Sequence, residues 1–248
     1  MFRRMVVMIS LFLVFLCSNL MAAETIKLAS LEWEPYIGPK MPGGGYVAEI
    51  VTEAFKKNGK IAQIDYLPWA RAVKMAKDGD YAGYLPEYYS EDLKKDFILS
   101  APFPGGPLGF FKKKSSKITF KTLEDLKPYS IGVVRGYVNT AEFDAAAYLK
   151  KDEAKDDLTN FKKLIAGRIE LIVCDKYVGE HLLKTELKES AGEVEFVEPG
   201  LENKDLYLCI SKALPNGQKI MDEFNAAIKQ MADDGTMKKI LEQYGIKK

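Results

Sequence analysis

Short runs rich in β-branched and aromatic residues alternate along this chain with stretches whose apolar residues recur every three or four positions, and this alternation constrains the fold most. Thr25–Ser30 places Ile26 and Leu28 on one face with Lys27 opposite, which predicts a strand. Gly43-Gly44-Gly45 interrupts the chain, and Val47, Ile50, Val51, Ala54 and Phe55 then share a helical face that ends at Gly59. A strand over Ile61–Leu67, a short helix over Trp69–Lys77 and a strand over Tyr81–Leu85 follow. The order recurs: a strand at Tyr129–Val134, helices at Asn139–Leu149 and Leu158–Ala166, a strand at Ile169–Cys174 and a helix at Lys176–Leu183. Two amphipathic segments close the chain, one carrying Ile220, Met221, Phe224, Ile228 and Met231, the other Met237, Ile240 and Leu241. Strands and helices in this order predict an α/β protein built from βαβ units around mostly parallel sheets.

Two proline- and glycine-rich breaks divide the pattern, Ser100–Pro107 and Pro199–Asn203, each leading into an apolar run (Leu108–Phe111 and Leu206–Ile210). Two crossings predict a discontinuous first lobe, 24–104 plus 205–248, enclosing a second, 105–204. The N-terminus is an address rather than a fold element. Arg3 and Arg4 precede an apolar run of eleven residues, Val6–Leu16, and Met21-Ala22-Ala23 supplies small residues before Glu24. The run is too short for a membrane span, which needs about 20 apolar residues. It reads as a secretory signal peptide over 1–23, cleaved after Ala22 or Ala23, and so predicts a periplasmic protein. Cys17 follows the bulky Leu16, which does not suit a lipobox.

Composition narrows the function. With 36 basic against 35 acidic residues, nothing in the charge balance points to nucleic acid. One histidine and three cysteines leave little for a metal centre or a disulfide scaffold, so no metal and no cofactor is expected. Cys174 and Cys209 lie in strand-like stretches and are expected to be buried and reduced. Gly43-Gly44-Gly45 lacks the Lys-Ser/Thr of a phosphate loop. His181 reads as a partly exposed helix residue, and Lys112-Lys113-Lys114 as a solvated edge.

Seven segments in order then carry a resemblance. They are Trp33-Glu34-Pro35-Tyr36 after a strand, Gly45–Ile50 opening a helix, Leu67–Ala72, Lys94–Phe103, Ile131–Tyr137, Gly167–Asp175, and the ending Asp234-Gly235-Thr236 with Ile240-Leu241 and Tyr244-Gly245. Together they resemble the bacterial extracellular solute-binding proteins of family 3, the polar-amino-acid-type periplasmic receptors of ABC importers. The resemblance implies a two-lobed periplasmic-binding-protein fold (type II, Venus-flytrap) with two hinge strands, acting as a monomer that closes on a small polar solute and hands it to an ABC permease.

The resemblance also places the site. Trp33 and Trp69, the two tryptophans of the chain, stand where the family puts aromatic walls, with Tyr36 beside them. Asp175, at the end of its strand, matches the aspartate that takes an α-ammonium, and it would suit equally as the N-cap of the following helix. Gly136-Tyr137 matches a turn whose backbone N–H groups and hydroxyl face the ligand's carboxylate, with Arg135 adding a guanidinium. One departure stands out. Where the family carries an arginine that forks onto the carboxylate, this chain has Leu93 or, one small shift away, Glu91, and neither replaces a guanidinium. Arg71 or Arg135 would then supply the charge, or the ligand lacks a carboxylate; Glu87, Tyr88 and Trp69 would suit a cationic or aromatic one. Two other readings stay open: a cyclohexadienyl-dehydratase-like enzyme with Glu87 or Asp175 as general acid, and a ligand sensor that presents its closed form to a membrane receptor.

Overall fold

A computed structural model of the chain describes residues 23–246. The signal peptide expected over 1–23 lies, up to residue 22, outside the described residues. The elements, in order, are β1 (Thr25–Ser30), α1 (Tyr46–Lys57), β2 (Ile61–Tyr66), α2 (Trp69–Asp78), β3 (Gly83–Glu87), β4 (Phe97–Leu99), β5 (Phe103–Lys113), β6 (Ser130–Val134) and α3 (Ala141–Ala145). Then come β7 (Lys150–Ala154), α4 (Asp157–Ile165), β8 (Leu171–Asp175), α5 (Lys176–Thr185), β9 (Val194–Phe196), β10 (Glu202–Ser211), α6 (Gly217–Asp233) and α7 (Thr236–Gln243).

Their pairing forms two lobes. β1 pairs in parallel with β2 and β3, and β6 pairs in parallel with β7 and β8, giving each lobe its own parallel core. Two long antiparallel strands join the lobes. β10 pairs with β3 and β4 at one end and with β5 at the other, and β5 continues to β8 and β9. The helices cover the sheets with the faces their periodicity marks. α1 buries Val47, Ile50, Val51, Ala54 and Phe55, with Phe55 packed on Phe224 of α6 at a ring separation of 5.3 Å. In the other lobe Phe111 of β5 meets Phe161 of α4 at 5.1 Å, over Gly179 of α5, where a Cβ would clash with the Phe111 ring.

The structure corrects the sequence reading in two places. The stretch expected to break the chain before Leu108 belongs to β5, because its irregular pairing with β10, register shift included, tolerates Pro104 and Pro107. The helix expected over Asn139–Leu149 is a single turn, Ala141–Ala145, followed by β7. β7 is an edge strand with charged residues at four of its five positions, and such a segment carries no alternation to read. Cys174 and Cys209 are buried, unpaired thiols in β8 and β10. No helix among the described residues is long and apolar enough to cross a membrane.

Candidate functional site

Strand ends deliver the polar groups to the seam between the lobes. The loop after β1 folds back through Trp33 N–H donating to Ile37 O (2.8 Å) and Tyr36 N–H to Trp33 O (3.0 Å), which presents Trp33 and Tyr36 side by side. Their ring centroids are 4.8 Å apart, and Tyr88, just past β3, stands edge-on to Trp33 at 5.8 Å. Trp69 opens α2 and meets Tyr137 of the facing lobe edge-on at 5.9 Å. Trp33, Tyr36, Trp69 and Tyr88 are all buried.

The facing lobe answers with carboxylates. Asp175 ends β8 and caps α5, its Oδ1 accepting from Tyr177 N–H (2.9 Å) and Val178 N–H (3.2 Å). It also accepts across the seam from Tyr36 Oη, at 3.0 Å to Oδ1 and 2.9 Å to Oδ2, and from Tyr88 Oη at 2.9 Å to Oδ2. Asp157 opens α4, and its Oδ2 accepts from Trp33 Nε1 (3.2 Å) and from Tyr137 Oη (3.1 Å). Trp69 Nε1 donates to Gly136 O at 3.0 Å. His181 of α5 pairs with Glu34 of the first lobe at 2.8 Å. The lobes are therefore closed on each other, with indole and phenol donors on one side and acceptors on the other.

Burial sets the protonation. It pushes Asp157 and Asp175 up to about 6, a rise limited by the hydrogen bonds each accepts. Glu87, wholly buried at the end of β3, is pushed up to about 8 although Tyr88 N–H and Tyr84 Oη donate to it at 2.8 and 3.1 Å. At neutral pH Glu87 is thus mostly a neutral acid, while the two aspartates are mostly anions. Burial and the adjacent carboxylates hold the Tyr36, Tyr88 and Tyr137 phenols well above their ordinary value, so they remain donors.

Two cavities lie along the seam. A small one of about 20 Å³ is lined by Trp33, Trp69, Glu87, Tyr88 and Tyr137. An outer one of about 540 Å³ opens beside Trp33, Trp69, Tyr137 and Asp157 and is rimmed by Glu32, Glu34, Asp156 and Glu186 against Lys40, Lys155 and His181. The rim is acidic on balance.

The structure brings together Trp33, Tyr36, Trp69, Glu87, Tyr88, Gly136, Tyr137 and Asp175, and it leaves both arginines outside. Arg135 is exposed and pairs with Glu153 at 2.9 Å on its own lobe. Arg71 lies on the exposed face of α2. The turn at Gly136 presents a carbonyl to Trp69, and the flanking amides are engaged within their lobe, Arg135 N–H by Ala154 O (2.9 Å) and Tyr137 N–H by Val134 O (3.1 Å). Of the two amides expected to face a carboxylate, that of Tyr137 is thus already engaged within its own lobe. At the arginine position, Leu93 packs half-buried against the core and Glu91 is exposed, pairing with Lys94 at 3.0 Å. Sequence reasoning missed Asp157 and the Glu34–His181 pair. The signal for Asp157 was the doubled acid before α4: Asp156 alone caps the helix, accepting from Thr159 N–H at 2.7 Å, and leaves its neighbour free for another role.

Comparison with known proteins identifies the family and the fold. The chain belongs to the bacterial extracellular solute-binding proteins, family 3, whose family pattern matches residues 32–247. It is 24% identical over 162 residues to the L-cystine-binding protein TcyJ of Escherichia coli (strain K12), a match that covers 62% of this chain and 56% of that relative. The chain thus matches little more than half the length of that relative. Its fold is similar to that of an ancestral arginine-binding protein bound to arginine, with a TM-score of 0.73 and 23% identity, over 89% of this chain and 97% of the other. It is also similar to a histidine kinase sensor domain with similarity to periplasmic binding proteins, with a TM-score of 0.78 and 14% identity, over 90% and 96% of the two chains. The two-lobed periplasmic-binding-protein fold expected from the sequence is the observed one.

Proposed function

We propose that this chain is an exported, monomeric receptor that closes its lobes, 24–104 plus 205–248 and 105–204, on a small cationic solute bearing an amine, and delivers it to an ABC permease. The observation that carries the reading is the charge of the seam: two buried aspartates walled by Trp33, Tyr36, Trp69, Tyr88 and Tyr137, with Arg71 and Arg135 turned elsewhere. A buried carboxylate beside aromatic faces favours a cation through a charge-assisted hydrogen bond and cation–π attraction together. A free α-carboxylate would meet no guanidinium there, and the Tyr137 amide of the neighbouring turn is already engaged, which argues for amines over ordinary amino acids. Closure by a ligand requires contacts to both lobes, and the seam offers rings from one lobe and anions from the other. A thermal-shift screen of residues 24–248 against amines, amino acids and small acids tests the reading. A rise in midpoint with amines supports it; a rise with acids alone overturns it.

Glu87 supports a second reading. A carboxyl pushed up to about 8 on the wall of a small cavity is suited to general-acid work, as a cyclohexadienyl-dehydratase-like enzyme would need. Turnover of prephenate or arogenate would favour the enzyme. Saturable binding without turnover favours the receptor.

A further inference from the structure

The two aspartates at the seam differ in what they have left to offer. A carboxylate presents about four acceptor positions. Those of Asp175 are filled by two backbone amides and the Tyr36 and Tyr88 hydroxyls. Asp157 uses only Oδ2, for Trp33 and Tyr137, while its Oδ1 is buried without a hydrogen-bond partner. The residue is 4% exposed and lines the 540 Å³ cavity. The Cys174 thiol packs beside this carboxylate, but in the structure its hydrogen bond runs to Asp175 O at 3.3 Å. Leaving a buried acceptor unpaired costs about 1–3 kcal/mol, and more when it is charged. No lysine, arginine or histidine among the described residues makes an ion pair with Asp157: Lys155 turns to Asp156 at 3.6 Å and Lys204 to Glu202 at 3.3 Å. One helical turn on, Asn160 is fully buried and also lacks partners for its amide oxygen and nitrogen, its side chain pressed against Gly132.

We infer that Asp157 is the anchor for the ligand's ammonium group, the body of the ligand filling the outer cavity toward Trp69 and His181, while Asp175 serves as the helix cap and the latch between lobes. This rests on the cationic reading above and assigns the charge contact to a different residue from the aspartate the family resemblance would choose. An ammonium brought to Oδ1 would supply the missing donor to a carboxylate whose residue lines the cavity, with no bond of Asp175 broken. Asp157 is mostly ionised above about 6, so it can act as an anion at neutral pH.

The test compares charged and neutral probes of equal shape on the full exported chain: n-butylammonium against n-butanol, and choline against its carbon isostere, each by titration calorimetry at neutral pH. The quantity read is the ratio of the two affinities in the unaltered protein, in Asp157→Asn and in Asp175→Asn. Asp157→Asn is expected to cut the preference for the charged probe roughly 30-fold. Asp175→Asn is expected to weaken both probes alike and to leave the preference within about threefold, because a lost latch costs closure rather than charge. Loss in Asp175→Asn with retention in Asp157→Asn overturns the assignment and leaves the cationic reading standing, and equal loss in both also overturns it. An unaltered protein that does not distinguish charged from neutral probes overturns the cationic reading itself. Should Asp157→Asn fail to fold, Tyr137→Phe serves in its place. Removing one donor from Asp157 should raise the preference about threefold, and an unchanged preference overturns the assignment.

Discussion

The hydroxyl of Tyr36 lies within hydrogen-bond distance of both carboxylate oxygens of Asp175, at 3.0 and 2.9 Å, and so ties one lobe to the other through a single side chain. Tyr88 adds a second tie to the same carboxylate at 2.9 Å. Both bonds have a charged acceptor, the class that contributes about 1.5–3 kcal/mol each. Replacing both tyrosines, Tyr36→Phe with Tyr88→Phe, should shift the balance from closed to open on the order of 100-fold. Small-angle scattering of the unliganded double variant should show a larger radius of gyration than the parent. Superimposable profiles would mean the latch lies elsewhere.

Gly106 makes that tie geometrically feasible. A Cβ there would collide with Tyr36 Oη and come within 2.7 Å of Tyr177 Cδ2 and 3.0 Å of Asp175 Oδ2. Gly106→Ala should therefore push Tyr36 off Asp175 and open the cleft with every polar group still present. The expected scattering change has the same sign as in the double phenylalanine variant, and a closed Gly106→Ala protein would contradict the packing argument.

Glu87 gives a stability signature. Its carboxyl titrates near 8 in the folded chain against 4.5 ordinarily, so the native state holds the proton more tightly than the unfolded state does. The resulting stabilisation is complete below the ordinary value and is lost as pH rises through about 8. Glu87→Gln, which mimics the neutral acid, should match the parent's melting temperature below about pH 4.5 and exceed it by a growing margin as pH rises to about 8. Parallel curves across the range would show that Glu87 is ionised in the fold.

Ligand binding should respond to pH differently. Asp157 and Asp175 both titrate near 6, and an ammonium anchored on Asp157 binds only its ionised form. Affinity for an ammonium probe should hold steady above about 6 and fall by roughly tenfold per pH unit or more below it. The unliganded chain runs the other way: these raised carboxyls stabilise it as pH drops from about 6 toward 4, because the folded state takes up protons first. Calorimetry and melting curves on the same samples would separate the two trends, and an affinity that is flat down to about pH 4 would exclude Asp157 as the charge contact.

Arg135 makes the negative control. Its guanidinium is exposed and occupied with Glu153, so Arg135→Ala should change probe affinity less than about twofold and stability by less than about 1 kcal/mol, as for other surface pairs. A large loss of binding would return the arginine to the site.

What could be read in advance follows from range. Strand and helix placement depends on neighbours a few residues apart, so β1, α1, β2 and α2 were legible from their own periodicity. The rings at Trp33, Tyr36 and Trp69 were legible as loop aromatics for the same reason. Asp157 was not, because its meaning comes from Trp33, 124 positions away. The same applies to Glu34 and His181, each unremarkable in its own segment. Arg135 erred in the opposite direction. Its position beside Gly136 is near the seam, but β7 supplies Glu153 as a partner and draws the side chain outward, and β7 itself has no apolar pattern to betray it.

The two indoles of the chain both donate across the seam, Trp33 to Asp157 and Trp69 to Gly136 O. When the lobes part, both lose their partners and meet water together, with no third indole to dilute the change. The protein therefore carries its own optical gauge. The wavelength of its intrinsic emission should report the angle between the lobes in real time, without a dye, a tag or a known ligand.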